Sequence, residues 1–289
     1  MLFSPLIILG ALALILIASG LLEFRYHQLV LSSIPIRIHV NGTRGKSSVT
    51  RLIAAGLRAG GKRTFAKTTG TAPRVIDSKG IDRIIHRLRR PSIGEQVRLL
   101  KYFSSEEPDA VVIECMAVQP QYQWISEHQM VKSHIGVITN ARPDHLDEMG
   151  PTEIDVVKSL CNSIPVGGTL VTAEDKHKDI LQSIAKHNQS EIFFSDESSV
   201  SENDLNKFAY IEHPQNIAIA LDVCSKMGVE RDIALSGMHS VQPDLGALVV
   251  WKLLGKKGSL QFVNGMAAND PVSTLQIWKF VIDRYPTNN

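Results

Sequence analysis

The run Ile36-Arg37-Ile38-His39-Val40-Asn41-Gly42-Thr43-Arg44-Gly45-Lys46-Ser47-Ser48 constrains this chain more than any other stretch. A β-branched apolar segment passes through a glycine turn into Gly-Lys-Ser, and residues 49–57 follow with helical spacing. Strand, loop and helix N-terminus in that order build a phosphate cradle, because loop N–H groups and the helix dipole present positive charge to an anion. The candidate nucleotide-binding residues are therefore Gly42, Thr43, Arg44, Gly45, Lys46, Ser47 and Ser48. Lys46 would face the β- and γ-phosphates, and the Ser47 hydroxyl would ligate Mg²⁺. The full P-loop pattern has glycine five residues before Gly45, where this chain has Val40. The alternative is a plain glycine turn ahead of a surface helix; the agreement of strand, loop, Lys-Ser and helix weighs against it. The expected ligand is a nucleoside triphosphate, ATP.

Residues 5–22 carry no charged side chain and are dominated by Leu, Ile and Ala; Glu23 and Arg25 end the run. At about 1.5 Å rise per residue, that length suffices to span a bilayer. No Lys or Arg precedes it, whereas Arg25, Arg37 and Arg44 follow, so the positive-inside bias puts the rest of the chain in the cytoplasm. A cleaved signal peptide would carry a basic n-region, and export would part the phosphate loop from cytoplasmic ATP. The expectation is a single-pass anchor in the cell membrane over residues 1–24.

The remaining length suits one large or two ordinary domains. A net charge of +2 is too near neutral to argue for nucleic acid as a partner. Cys115, Cys161 and Cys224 are odd in number, far apart and without metal-type spacing, which suits a reducing compartment.

Apolar runs predict strands at 36–40, 110–114, 133–139, 169–172 and 191–194. Amphipathic spacing predicts helices at 47–59, 94–103, 153–163, 178–187 and 216–227. Apolar strands alternating with such helices imply an α/β fold, a mostly parallel sheet with helices on both faces. Ligands of such sheets sit at the carboxyl ends of the strands. There, Ala110-Val111-Val112-Ile113 ends in Glu114, placed as a second Mg²⁺ ligand beside the loop, though many such acids are only turn residues. The strand after it runs into Asn140-Ala141-Arg142-Pro143-Asp144-His145-Leu146-Asp147, where His145 between two acids is a candidate metal ligand.

Gly-Thr-Arg-Gly-Lys-Ser-Ser resembles the Gly-Thr-Asn-Gly-Lys-Thr loop of the Mur ligase family, with Arg44 for the Asn. Thr139 to Asp147 is similar to that family's Asn-x-x-x-Asp-His-Leu-Asp motif. The resemblance implies ATP-dependent joining of a carboxylate to an amine, with Glu114 binding one Mg²⁺ and His145 a second. It implies that Lys158, on the helix after His145, is the family's carbamylated lysine, whose carbamate helps hold the second ion. Lys46, His145 and Lys158 would form the catalytic set. Asn216, in His213-Pro214-Gln215-Asn216, would meet the adenine.

Within the family, the anchor, Glu114-Cys115-Met116-Ala117-Val118-Gln119-Pro120 and residues 262–274 resemble the membrane-anchored, capsule-type ligases of poly-γ-glutamate synthesis. By that resemblance residues 25–235 form the ATP-binding domain. Residues 236–289 begin a Rossmann-like C-terminal ligase domain, in which Asn264 replaces an Asp that contacts ribose. Such a domain needs on the order of 100 residues, so it is expected to be truncated here. The implied partners are glutamate, poly-γ-glutamate and other membrane subunits of a synthesis and export complex; a homo-oligomer is compatible with the sequence.

The implied chemistry is conversion of a γ-carboxylate to an acyl phosphate, then attack by the amine of a second glutamate. Arg83, Arg87, Arg89, Arg90, Arg98 and Lys101 form a basic stretch that could guide such a polyanion, although such runs are usually solvated surface. Two other classes remain at this stage. One is a membrane-tethered NTPase, which would hydrolyse ATP without glutamate. The other is a nucleotide-binding scaffold of an export complex, which would bind ATP without releasing ADP.

Overall fold

The computed structural model describes residues 5–70, 72–87, 90–243, 248–255, 258–265 and 271–284. Arg89 and residues 266–270, which carry parts of two sequence expectations, lie outside the described residues. Helix α1 (Pro5–Ser32) leads into β1 (Ile36–Asn41) and α2 (Lys46–Ala59). Strands β2 (Thr64–Thr68), β3 (Arg74–Ile76) and β4 (Asp82–Ile84) precede α3 (Glu95–Ser104) and β5 (Ala110–Glu114). Helix α4 (Pro120–Ile125) widens into a π-helical turn, Ser126–Val131, before β6 (Ile135–Ile138). Then come α5 (Leu146–Met149), α6 (Glu153–Leu160), β7 (Thr169–Thr172), α7 (Lys178–His187) and β8 (Glu191–Phe194). Helices α8 (Glu202–Asn206), α9 (Pro214–Lys226) and α10 (Arg231–His239) follow. An antiparallel hairpin of β9 (Val249–Gly255) and β10 (Gly258–Asn264) precedes α11 (Pro271–Arg284).

The main sheet has the order β4-β3-β2-β5-β1-β6-β7-β8. From β2 to β8 every pairing is parallel, while β3 and β4 add an antiparallel edge. The mostly parallel α/β sheet expected from the sequence is therefore present, with β1 at its centre. The strand expected at 133–139 shortens to Ile135–Ile138 because Ser133 is engaged by Glu127 and Thr139 by the loop after β1. The helix expected from 216 starts at Pro214, whose missing N–H costs nothing in a first turn. The helix expected to reach 163 tightens at Cys161 into a 3-10 turn. Strand β2 escaped the apolar pattern because Lys67 interrupts it, yet all five of its residues are buried.

Strand alternation separates two faces. Ile38 and Val40 of β1, Ala110 and Val112 of β5, and Val137 of β6 share a core with α2, α9 and α10. On the other face, Val111 and Ile113 join α1 and α3 in one cluster, and Ile138 and Leu170 join α6 and α7 in another. Between those clusters β1 turns Arg37, His39 and Asn41 inward, so the expectation of apolar strands fails there. Most of the resulting seam is paired: His39 Nδ1 lies 2.7 Å from Glu127 Oε2, and Arg37 donates to the carbonyls of Leu31, Ile34, Val131 and Lys132. Asn41 Nδ2 donates to Gln123 Oε1 at 2.9 Å and to Ser163 Oγ at 3.1 Å.

Helix α1 is long and apolar enough to cross a membrane by length and composition. Its last turns belong to the folded body, where Val30 and Leu31 pack with Ile34, Phe65, Leu100 and Phe103. The boundary expected at 24/25 thus falls inside one continuous helix. The boundary expected at 235/236 falls inside α10, whose Ala234, Leu235 and Met238 share the core of α2 and α9.

Candidate nucleotide-binding site

The loop after β1 is shorter than the full P-loop pattern requires. Val40 is still a strand residue, paired with Glu114 and Val137 and fully buried, so glycine is not needed there. The turn begins at Gly42, with φ of 132°, where a Cβ would sit 2.0 Å from Thr139 Oγ1. It ends at Gly45, with φ of 83°, where a Cβ would sit 2.6 Å from Asn216 Oδ1. Gly45 caps α2 with no side-chain hydrogen bond, which leaves the first-turn N–H groups for an anion. Lys46 Nζ folds back and donates to the Gly42 carbonyl at 2.7 Å and the Thr43 carbonyl at 3.2 Å. Ser48 is half-buried in the same first turn.

At the end of β5, Glu114 is 2 % exposed and accepts from Ser47 Oγ at 2.8 Å. It also accepts from the backbone N and Oγ1 of Thr69, just past β2. A carboxylate and two hydroxyls gathered at one strand edge are hard oxygen donors. They fit Mg²⁺, which takes one or two protein oxygens and completes its shell with water and phosphate. Among the described residues, no group of three or more His, Cys, Asp or Glu side chains is arranged to hold a metal by itself.

Lys46, Thr69 and His145 line one cavity of about 240 Å³, together with Asn41, Cys115 and Asp144. His145 is exposed and held in the left-handed region at φ of 47°, at the start of α5. A non-glycine residue there stores strain, a feature that concentrates at functional sites. Asp144 reaches Arg44 at 3.8 Å.

The second motif also braces the first, which sequence reasoning did not foresee. Asn140 Oδ1 accepts from Thr43 Oγ1 at 2.7 Å and from Arg44 N at 3.2 Å, while its Nδ2 donates to the Arg44 carbonyl at 3.1 Å. Thr139 Oγ1 donates to that same carbonyl at 2.6 Å, and Thr43 Oγ1 accepts from Arg142 N at 3.0 Å. Glu174, past β7, accepts from Ala141 N at 2.9 Å and holds the motif from behind.

Asn216, on the first turn of α9, is 8 % exposed and lies against Gly45. Its Nδ2 donates to Glu212 Oε1 at 2.8 Å. Burial pushes the Glu212 carboxyl above the usual range, against hydrogen bonds from Asn216 and the His213 backbone. Lys158 is placed differently from the other candidates. It is exposed in the last turn of α6, its charge acting on Asp155, and the structure does not gather it with Glu114 and His145. Thr69 was missed because β2 was missed; two consecutive threonines at the strand's carboxyl end were the available signal.

The Mur ligase middle domain matches residues 40–251, which include the phosphate loop, Glu114, the second motif and Asn216. The chain belongs to the Mur ligase family. The poly-gamma-glutamate synthase CapB C-terminal domain matches residues 250–289. Capsule biosynthesis protein CapB of Bacillus anthracis is 40% identical over 98% of this chain and 61% of its own length. PGA synthase CapB of Bacillus subtilis strain 168 is 37% identical over 95% of this chain and 71% of its own length. The chain therefore spans about three fifths to seven tenths of these relatives. E. coli FolC in complex with DHPP and ADP shares the fold, with a TM-score of 0.65 at 17% identity over 91% of this chain and 69% of that one. As a Mur ligase family member, the chain shows the family's phosphate loop with Glu114 hydrogen-bonded directly to Ser47.

Proposed function

We propose that this chain is an ATP-dependent ligase that activates a glutamate γ-carboxylate as an acyl phosphate and joins it to the amine of another glutamate. The product is poly-γ-glutamate, made at the cytoplasmic face of the membrane that α1 spans. The observation that carries the reading is the contact between Ser47 and Glu114 beneath a loop whose helix N-terminus is free to hold phosphate. The names of the CapB relatives support the choice of substrate.

A carboxylate is a poor electrophile, so its oxygen first takes the γ-phosphoryl group of ATP with ADP leaving, and the amine then displaces phosphate to form the amide. In this reading the first-turn N–H groups of α2 hold the phosphates. Lys46 exchanges its two loop carbonyls for the phosphate oxygens, where its charge offsets the negative charge built at the γ-phosphorus. Mg²⁺ on Ser47 and Glu114 would supply further neutralisation of the phosphates. Thr69 fixes both oxygens of Glu114 and so aims the carboxylate. His145, across the cavity, is the proposed ligand of a second ion. Carbamylation of Lys158 enters on motif spacing alone. Loss of turnover in Lys158→Ala, restored in part by acetate, is the expected result; full turnover removes Lys158 from the proposal.

The test is phosphate release by the detergent-solubilised chain with and without glutamate. Release that requires glutamate, with γ-linked product by mass spectrometry, is expected. Equal release without glutamate would make the protein a tethered NTPase.

A further inference from the structure

Arg87 belongs to two cavities. On one side it lines the phosphate cavity with Lys46 and His145. On the other it lines a second cavity of about 510 Å³ with His86, Arg90, Glu95 and Arg98. The fold divides the basic stretch of the sequence. Arg83 pairs with Asp77 at 3.5 Å, and Lys101 Nζ sits 4.9 Å over the Tyr26 ring, so both are engaged elsewhere. Arg87, Arg90 and Arg98 remain around the second cavity.

The one carboxylate among its lining residues is already committed. Arg87 Nε and Nη2 donate to Glu95 at 2.7 and 2.9 Å, and Lys67, fully buried, places Nζ 3.7 Å behind it. Arg90 and Arg98 are exposed; among the described residues neither forms an ion pair, and the Arg98 charge acts on Glu95 from a distance. Cations of one sign around a cleft focus the potential within it, and each guanidinium offers a planar fork that matches a carboxylate. A γ-linked glutamate chain carries one free α-carboxylate per residue, so its charge repeats along its length. A cavity of paired forks opening beside the phosphate cavity suits that ligand.

We propose that this second cavity seats the γ-glutamyl chain. Arg90 and Arg98 hold its α-carboxylates, and Arg87, the wall common to both cavities, marks where a chain end passes to the phosphates. The inference rests on the ligase reading above and adds a polymer subsite to it.

The test titrates the full chain in detergent with an end-labelled γ-linked glutamate decamer, and in parallel with a fluorescent ATP analogue. Arg90→Ala/Arg98→Ala is expected to weaken decamer binding about five- to tenfold, the scale of losing two solvent-exposed charge contacts. Affinity for the ATP analogue should not change. Arg90→Lys/Arg98→Lys should lose less than the alanine pair, because charge is kept and only the fork is lost. Equal decamer affinity in wild type and the alanine pair overturns the subsite and leaves the ligase reading standing. Phosphate release that ignores glutamate overturns the ligase reading, and this inference with it.

Discussion

Lys46 is placed where only chemistry needs it. Its ammonium rests on two loop carbonyls, and its removal leaves the bonds from Asn140 and Thr139 that brace Thr43 and Arg44 in place. Lys46→Ala should cut turnover about 100-fold or more with unchanged circular dichroism and melting temperature, the scale of losing a charge from a transition-state clamp. Glu114→Gln should lose as much, with a raised Mg²⁺ requirement, because one oxygen becomes an amide nitrogen. His39 is the contrasting residue, fully buried and paired with Glu127. Burial alone would push its imidazole down, but the Cys115 thiol and the Glu127 carboxylate beside it hold it up, at about 9. Stability gained this way is full below the ordinary histidine value of about 6.5 and drains as pH rises through about 9. Urea unfolding should therefore show wild-type stability falling between about pH 7 and pH 9. His39→Ala, which leaves the Glu127 carboxylate buried without its histidine and with only Ser133 still donating to it, should cost about 3–5 kcal/mol at neutral pH and flatten that slope.

Among the elements, β1, α2 and the loop between them are held from outside as much as by their own sequence. Asn140 supplies three of the hydrogen bonds that fix Thr43 and Arg44. Asn140→Ala should weaken nucleotide binding about 10- to 100-fold, since each such bond contributes on the order of 1 kcal/mol. Melting temperature should barely move, because the sheet beneath keeps its ladder. Wild-type affinity in that variant, measured with a fluorescent ATP analogue, would show that the loop keeps its shape unaided. The same wiring explains what was legible. Residue types and order revealed two motifs at one sheet edge; that the second motif's amide grips the first motif's backbone depends on β6 lying beside β1, a long-range pairing. Strand β2 was illegible because Lys67 looks like a surface residue until Glu95 and the sheet enclose it.

At the scale of the molecule, the apolar helix and the folded body are one continuous piece. Helix α1 runs without a break into residues that pack against α3 and β5. Lys101 over Tyr26 and Lys132 over Phe24 place cations and aromatic rings where the helix meets the body, as at a membrane interface. On the proposed function, deleting residues 1–22 should release a soluble chain that still binds ATP but makes little or no long polymer, because an anchor would concentrate the ligase beside membrane partners. Deleting residues 1–34 should instead destabilise the body, since Val30, Leu31 and Ile34 leave the core; each such side chain is worth about 2–5 kcal/mol. Thermal melting and product length on the two variants separate the roles.

By itself, the sequence determined what short-range chemistry can write. An apolar strand, a glycine-bounded turn, Lys-Ser and an amphipathic helix must be adjacent to make a phosphate cradle, so they are adjacent in the chain. An uncharged run long enough for a bilayer is likewise a local property. Tertiary structure decided which distant groups share a site. Glu114 reached Ser47 through the pairing of β5 with β1, and Thr69 reached Glu114 through the pairing of β2 with β5. It also decided which cations of one basic stretch are engaged within the fold. Arg83 is engaged by Asp77 and Lys101 by Tyr26, whereas Arg90 and Arg98 face a cavity, because partners are chosen by packing across the fold rather than by order along the chain.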